Sequence, residues 1–210
     1  DSIIIGTGLG CLTDTEKFLK NFLSLDGLIP PTAFIQSTHN TIAGQLSLFL
    51  KNHNYNMTHS QNSVSFEHAL LDAMLRLNEN DTNVLVGATD ETIPLLDSLV
   101  DTFELNALKG MLTSGAAIFN LSNKKTEHSL ARIVDVEAIY KSRGELNEQI
   151  STFTEGHDLD LVLSNTNGLI HKHKQVNYNE LFGYLHTASA LALHYAVDMI
   201  ENGMARKVLV

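Results

Sequence analysis

One serine occupies a position in the sequence where a hydroxyl could act as a nucleophile. Ser63 stands between a polar, β-like stretch at residues 58–62 and an apolar pattern that begins at Ser65. At the N-terminus of a helix, the positive end of the helix dipole stabilises a developing anion, which favours a nucleophile. The same position suits an N-cap, whose hydroxyl accepts a hydrogen bond from a backbone N–H. The local pattern favours the cap and leaves both roles open.

Three other segments carry residue types that bind ligands, and each has a simpler interpretation. Gly6-Thr7-Gly8-Leu9-Gly10 has GxGxG spacing, whereas dinucleotide-binding turns have GxGxxG. His171-Lys172-His173-Lys174 offers two imidazoles without a third ligand at metal-binding spacing, and its lysines repel a cation. Cys11 has no histidine nearby in the sequence and is interpreted as a core thiol. We therefore expect no cofactor and no metal.

The composition limits the compartment and the partners. The chain has 210 residues, of which 43% are hydrophobic, enough for one substantial core. Its formal net charge of −10 argues against a general affinity for nucleic acid or anionic membranes. No apolar run approaches the ~20 residues of a membrane span, and the single cysteine fits a reducing compartment. We expect a cytoplasmic protein with no nucleic-acid or membrane partner.

The elements that must position these residues alternate along the chain. Strands are predicted for six short apolar segments: 3–5, 83–88, 116–121, 131–136, 159–163 and 207–210. Helices are predicted for four segments: 16–25, 41–50, 65–77 and 187–201. Segment 65–77 has apolar residues at i, i+3, i+4, i+7, i+8 and i+11, which gives it one long buried face. This alternation predicts an α/β fold with buried, mostly parallel strands.

Both ends of the chain are apolar. The sequence opens without Met at Ser2-Ile3-Ile4-Ile5 and stops within Lys207-Val208-Leu209-Val210. Intact domains rarely begin and end in core strands, because such strands leave sheet edges exposed. We therefore expect a chain that is incomplete at both ends.

The first half of the chain resembles the β-ketoacyl synthases. Residues 38–45 (THNTIAGQ) are similar to the family's Asn-x-x-Ala-Gly-x-Ile helix, and residues 54–58 (NYNMT) to its Gly-Pro-Asn-x-Thr strand. That strand leads in the family to Thr-Ala-Cys and an Ala-rich helix, and then to a strand ending in Ala-Gly-Gly-x-Glu. The corresponding pieces here are residues 61–63 (QNS) and 84–91 (VLVGATDE). Ungapped counting in the resemblance places Ser63 at the position of the nucleophilic cysteine.

The resemblance continues downstream, in the right order and at compatible spacing. Residues 114–121 (SGAAIFNL) resemble the family's Gly-Glu-Gly-Ala strand, and residues 131–134 (ARIV) the strand after it. Residues 160–168 (DLVLSNTNG) look like Asp-x-Val-x-Ala-His-Gly-Thr, and residues 183–190 (GYLHTASA) like Gly-His-x-x-Gly-Ala-Ala-Gly. The resemblance implies a thiolase-like, layered αβαβα fold. It implies an N-terminal half at residues 1–121 and a C-terminal half at residues 122–210.

The departures from the family pattern fall on its catalytic positions. The family condenses an acyl group on cysteine with malonyl on an acyl carrier protein, and two histidines stabilise the malonyl thioester oxygen. In the resemblance, Ser63 takes the place of the cysteine, Asn165 of the first histidine and Tyr184 of the second. Asn179 takes the place of the active-site lysine, and His186 lies two residues past the second histidine. Substitution at all these positions is what we expect of a non-condensing subunit of the chain-length-factor type.

The resemblance implies a partner subunit in fatty acid or polyketide-type biosynthesis, in a divergent bacterial branch associated with aryl polyene-like pigments. Its expected partners are an acyl carrier protein and an active ketosynthase or a second copy, paired through the strand near residues 58–61. One alternative is an active 3-oxoacyl synthase or acyltransferase that uses Ser63 with His186 as base. Another alternative is a thiolase-fold binding protein unrelated to acyl-chain assembly.

The partner-subunit interpretation makes one geometric prediction. Ser63, Asn165 and Tyr184 should converge in one buried pocket, because the two halves of the family fold meet there. Ser63 should cap the following helix with its hydroxyl and have no imidazole within hydrogen-bond reach.

Overall fold

The computed structural model describes residues 1–24, 31–79, 81–138, 143–166 and 173–210. The strands within these residues are β1 (Ser2–Gly6), β2 (Asn56–His59), β3 (Asn83–Asp90), β4 (Gly115–Ser122), β5 (Leu161–Ser164), β6 (Gln175–Asn177) and β7 (Val208–Leu209). The helices are α1 (Leu12–Ser24), α2 (Pro31–Gln36), α3 (Thr41–Leu50), α4 (Ser65–Glu79), α5 (Pro94–Thr102), α6 (Arg143–Phe153), α7 (Tyr178–Phe182) and α8 (Ala188–Glu201). Two 3₁₀ turns lie at Asn62–Val64 and Asn106–Leu108.

The strands form two sheets of different size. In the first, of order β2-β1-β3-β4, β1 runs parallel to both neighbours and β4 runs antiparallel to β3. In the second, of order β6-β5-β7, both pairs are parallel. The predicted α/β class with mostly parallel strands is confirmed.

Strand β1 is buried along its whole length because it lies between two layers of helices. Ile4 faces the core that contains Phe66 of α4. Ile3 and Ile5 point to the opposite side, into a cluster with Ala43 of α3. Alternation of side chains across a strand explains this division, and burial on both faces explains the unbroken run of isoleucines.

Helices α4 and α8 connect the first sheet to the second. The predicted apolar face of α4 is buried, and it packs with Val84 and Val86 of β3. Ala190 of α8 joins that same core. On the other side of α8, Ala192 and Ala196 pack instead against β5 of the second sheet. Small side chains on α8 thus allow one helix to contact both sheets closely.

Most predicted elements are present, and their ends have shifted by a few residues. The helix predicted for residues 16–25 begins earlier, at Leu12, and residue 25 lies outside the described residues. The prediction of a strand at residues 131–136 is wrong, because this segment pairs with no strand among the described residues. Ile133 and Val136 still pack against the first core, which explains their apolar character. The sequence pattern left residues 139–154 open between loop and helix, and α6 lies there; it missed four other elements: α2, α5, β6 and α7.

The lengths and polarity of the helices bear on membrane association. Of the helices in the described part of the chain, none has the length and the apolar character that a bilayer crossing requires.

Candidate functional site

Ser63 lies in the 3₁₀ turn that joins β2 to α4. Its side chain is exposed, and the preceding Asn62 has a positive φ of 52°, which is uncommon for a residue other than glycine. The hydroxyl that stabilises this turn is that of Ser65, which is fully buried. It accepts a hydrogen bond from the N–H of Gln61 at 2.8 Å and lies 2.9 Å from the carbonyl oxygen of Thr7. The prediction that Ser63 caps α4 is therefore wrong, since the hydroxyl bonded in this turn is that of Ser65, the first residue of the helix.

The imidazole nearest to Ser63 along the chain is already engaged. Nε2 of His59 lies 2.8 Å from the carboxylate of Asp72, which also accepts a hydrogen bond from the hydroxyl of Tyr55 at 3.1 Å. Within the described residues, none of the hydrogen bonds of this turn joins Ser63 to a histidine. Among the described residues, the hydrogen bonds of this turn therefore assign no base to the Ser63 hydroxyl.

Asn165 follows directly after β5, at the carboxyl end of this central strand of the second sheet. Its side chain is exposed, like that of Ser63. We predicted that Ser63, Asn165 and Tyr184 share one buried pocket. The predicted burial is wrong, because Ser63 and Asn165 are exposed at the surface of this chain.

Tyr184 is held by its backbone. Its N–H donates to the carbonyl oxygen of Met111 at 2.6 Å, and its own carbonyl oxygen accepts from Thr113 N–H at 3.0 Å. The ring of Tyr184 meets the ring of His186 edge-on, with 5.8 Å between their centroids. His186 in turn packs against Gly8, where a Cβ atom would collide with the imidazole side chain. This contact explains a glycine directly after the buried Thr7.

Tyr184 and His186 line a cavity of about 220 Å³ beneath α5. Most of its wall is apolar, and Leu96, Leu99 and Val100 of α5 contribute to it. Ser63 and Asn165 are absent from the described residues that line it. The Nδ1 atom of His186 is buried and has no hydrogen-bond partner in the described part of the chain. The cavity therefore contains an imidazole but not the predicted nucleophile.

Asp90, at the end of β3, joins the turn after β1 to the start of α8. One carboxylate oxygen accepts from the Thr7 hydroxyl and from the N–H groups of Gly8 and Leu9, at 2.9–3.0 Å. The other accepts from the N–H and the hydroxyl of Thr187, at 3.2 and 2.9 Å. The sequence offered one signal for this residue, an acidic side chain at the end of a buried strand.

A second group of polar side chains, of which Ser189 is buried and the others are half-buried, lies where α4 meets α8, and sequence reasoning missed it. Burial raises the pKa of Glu67 in the first turn of α4, while a nearby Ser189 hydroxyl in α8 lowers it less strongly. Burial also raises the pKa of Tyr178 in α7, and the neighbouring Glu67 and Tyr184 add to that effect. These four side chains therefore lie within electrostatic range of one another.

The other candidate ligands are dispersed. Nδ1 of His173 lies 3.0 Å from the carbonyl oxygen of Leu159, while His171 and Lys172 fall outside the described residues. Burial, together with Glu91 and Asp14, raises the pKa of the Cys11 thiol, which makes it a poor nucleophile. Across the described residues, no group of three His, Cys, Asp or Glu side chains could hold a metal ion.

The fold is similar to that of solved ketosynthases. A structure titled as a type II PKS acyl-carrier protein in complex with its ketosynthase, AntDE:AntF, aligns with a TM-score of 0.76 at 15% identity, over 99% of this chain and 70% of that chain. A β-ketoacyl synthase from Burkholderia phymatum aligns with a TM-score of 0.64 at 14% identity, over 96% of this chain and 62% of that chain. These two alignments confirm the predicted thiolase-like fold.

A third structure, the ketosynthase ApeO with its chain length factor ApeC from Xenorhabdus doucetiae, is 24% identical with a TM-score of 0.48, over 59% of this chain. The chain spans 50% of the length of that protein and 36% of the ishigamide ketosynthase/chain length factor. No curated protein matches the sequence. Residues 10–161, well over half of the chain, match the sequence model described as the β-ketoacyl synthase N-terminal domain. The chain therefore belongs to the β-ketoacyl synthase family.

Proposed function

We propose that the chain belongs to a non-condensing partner subunit of the chain-length-factor type. The observation that carries this proposal is the state of Ser63, which occupies the family's cysteine position. It is exposed, and no base contacts it among the described residues. The pathway we propose is fatty acid or polyketide-type biosynthesis, of the aryl polyene kind.

The chemistry of condensation supports this proposal. A serine hydroxyl needs an adjacent general base, because its pKa is far above that of a cysteine thiol. The nearby His59 contacts Asp72 through its Nε2 atom, and its hydrogen bonds among the described residues do not reach Ser63. Asn165 and Tyr184 stand where the family has two histidines, and an exposed amide is a weak donor for a malonyl thioester oxygen. The aligned positions therefore retain neither the nucleophile nor the electrophilic pair.

The partners we propose are an acyl carrier protein and an active ketosynthase subunit or a second copy of the chain. The sheet order leaves β2 at an edge of the first sheet, with one row of backbone groups unpaired among the described strands. This is the strand through which the family pairs its subunits, as the resemblance implies. An open β2 edge is what such pairing requires.

Intact-protein mass after incubation with an acyl carrier protein that bears a labelled acyl chain tests the proposal. The wild-type chain should gain no acyl mass, with or without a ketosynthase partner. Ser63→Cys should gain one acyl group if residue 63 faces the acyl donor, whereas Ser60→Cys, at an exposed position three residues earlier, should not. Peptide mapping separates either product from modification of Cys11.

Acylation of the wild-type chain at Ser63, abolished by Ser63→Ala, would replace the proposal with a serine-dependent acyltransferase. That second candidate has one observation in its favour, the unpartnered Nδ1 of the buried His186. Against it, His186 lines a cavity that Ser63 does not line among the described residues. Equal acylation of the two cysteine variants would contradict the alignment of Ser63 with the family's nucleophile.

A further inference from the structure

The connection between β3 and β4 contains a segment, residues 94–110, that makes its polar contacts with itself. It comprises α5 and the second 3₁₀ turn. Among the described residues, its hydrogen bonds join two of its own residues or reach only the adjoining Ile93 and Met111. Its ion pair, between Nζ of Lys109 and Oδ1 of Asp101 at 2.9 Å, is internal as well. The described polar contacts therefore hold the segment together without fixing it to the rest of the molecule.

Both ends of this segment are held, and at neighbouring points. At the start, the N–H of Thr92 donates to the hydroxyl oxygen of Ser114 at 2.9 Å, and the side chain of Ile93 is buried. At the end, the carbonyl oxygen of Met111 accepts from the N–H of Tyr184 at 2.6 Å. Ser114 follows closely after Met111 in the chain, so both ends meet the molecule near the start of β4. Such a segment can swing about its two ends as one body.

The side of the segment that faces the molecule is apolar and borders the cavity of about 220 Å³. Leu96, Leu99 and Val100 line this cavity, and Val100 is the buried residue of α5. Tyr184 and His186 belong to the same wall. Side chains that face a cavity hold less firmly than those in a packed core, because atoms beside empty space lose dispersion contacts. The attachment of α5 to the molecule is therefore weak.

The end of the segment contains a residue suited to a hinge. Gly110 has a φ of 70°, a conformation that glycine adopts at little cost. In the described part of the chain, no neighbouring segment has an atom within 4 Å of the position that a Cβ atom would occupy there. The backbone at Gly110 therefore has both the conformational freedom and the space to rotate.

We propose that residues 94–110 form a lid over the cavity, and that the lid swings as one body about residues 92–93 and Gly110. The closed lid excludes water from the cavity beside Tyr184 and His186, and the open lid admits an apolar group. Opening breaks the apolar contacts of Val100 and its neighbours, while the internal hydrogen bonds move with the lid. The inference goes beyond the proposed function, because it concerns a movement of the chain and does not depend on acylation of Ser63.

Alkylation of a cysteine placed in the cavity wall measures the opening. In a Cys11→Ala background, Leu185→Cys places the thiol in the cavity wall, and Leu163→Cys places it in β5; both leucines are buried. Intact-protein mass during incubation with iodoacetamide gives both rates. We expect Leu185→Cys to react at least about tenfold faster than Leu163→Cys, because local opening costs less free energy than global unfolding. Both should react more slowly than Ser60→Cys, at an exposed position.

Two matched substitutions of valine by alanine separate lid opening from global unfolding. Val100→Ala removes apolar contacts of the lid and should accelerate alkylation of Leu185→Cys about tenfold. Val84→Ala removes equivalent contacts from the core of β3, which stay formed when the lid opens. It should leave the rate for Leu185→Cys unchanged and accelerate alkylation of Leu163→Cys. If Leu185→Cys fails to fold, Leu112→Cys, also in the cavity wall, replaces it.

Four results would overturn the lid. The first is an equal rate for Leu185→Cys and Leu163→Cys, and the second is equal acceleration of both by Val84→Ala, since either means that the cavity opens only when the whole chain unfolds. The third is a rate for Leu185→Cys that Val100→Ala leaves unchanged. The fourth is alkylation of Leu185→Cys as fast as that of Ser60→Cys, which means that the cavity is open without any movement.

Discussion

Two serines in the turn before α4 have opposite surroundings. Ser65 is fully buried and its hydroxyl contacts Gln61 and Thr7, so it ties this turn to the end of β1. Ser63 is exposed and takes no part in these contacts. A substitution at Ser63 therefore changes the side chain without removing a hydrogen bond that stabilises the turn. Acylation of Ser63→Cys can then be interpreted without a change in the structure of the turn.

The hydrogen bonds of Asp90, which lines the cavity, join the turn after β1 to the start of α8. It is 4% exposed, and its carboxylate accepts five hydrogen bonds among the described residues. In Asp90→Asn an amide NH₂ would face donors from Thr7 or from Thr187, so we expect a loss of about 3 kcal/mol in the free energy of unfolding. Asp97→Asn, at an exposed position on α5, should cost less than about 0.5 kcal/mol. Urea unfolding of both variants measures the difference, and equal losses would contradict the role of Asp90.

The raised pKa of Glu67 predicts how stability depends on pH. Since burial raises its pKa above the value of about 4.3 in an unfolded chain, folding favours the neutral form. The stabilising contribution is complete below that pH and is lost as the pH rises through the folded-state pKa. We therefore expect the wild-type chain to lose stability relative to Glu67→Gln as the pH rises from about 4. Urea midpoints across this range test the trend. Glu79→Gln should show no trend of this kind.

At the scale of elements, the spacing of apolar residues predicted helices more reliably than strands. The spacing of apolar residues predicted the helix from Ser65 because one face of a helix shows a period of 3.6 residues whatever lies against it. The same reasoning failed for residues 131–136. A strand also needs a partner strand, and the apolar pattern of one segment does not show whether a partner lies beside it. The apolar Ile133 and Val136 reach the core without such a ladder.

The candidate site was predicted less well than the fold. The resemblance located Ser63 and Tyr184. It did not locate Asp90, whose partners Gly8 and Thr187 lie 82 and 97 residues away from it in the chain. Glu67 is one polar position on a predicted helix, and nothing local in the sequence indicates that Ser189 and Tyr178 come close to its carboxyl group. Contacts of this kind become visible only when the helices are packed.

The close approach between the segments at Met111–Thr113 and at Tyr184 depends on Gly183. Its φ is 75°, and a Cβ atom there would collide with Thr113 and lie 2.7 Å from the carbonyl oxygen of Met111. Gly156 also has a φ of 75° but has nothing within 4 Å of the same position. We expect Gly156→Ala to cost about 1 kcal/mol for its backbone alone, and Gly183→Ala about 2 kcal/mol more. Equal costs in urea unfolding would show that the contact with Met111 and Thr113 adds nothing.

At the scale of the whole molecule, the open side of β2 is the feature that bears on assembly. Tyr55 and His59 turn their carbonyl oxygens to β1, where they accept from Ile3 and Thr7. Because backbone groups of a parallel strand alternate in direction, those of Thr58 point away from β1. Among the described strands, this edge leaves donors and acceptors unpaired, which is the requirement for one continuous sheet across two subunits.

Thr58→Pro tests whether this edge joins subunits. Proline removes the outward N–H of Thr58 and leaves the hydrogen bonds between β1 and β2 in place, and its φ suits an edge strand. We expect association with a second copy or with a ketosynthase partner to weaken at least about tenfold, because one hydrogen bond is lost and the proline ring crowds the partner strand. Thr58→Val keeps the N–H and should associate as the wild-type chain does. Sedimentation velocity over a range of concentrations measures both variants. A wild-type chain that stays monomeric at every concentration, alone and with the partner, would contradict pairing through β2, and so would a Thr58→Pro variant that associates normally.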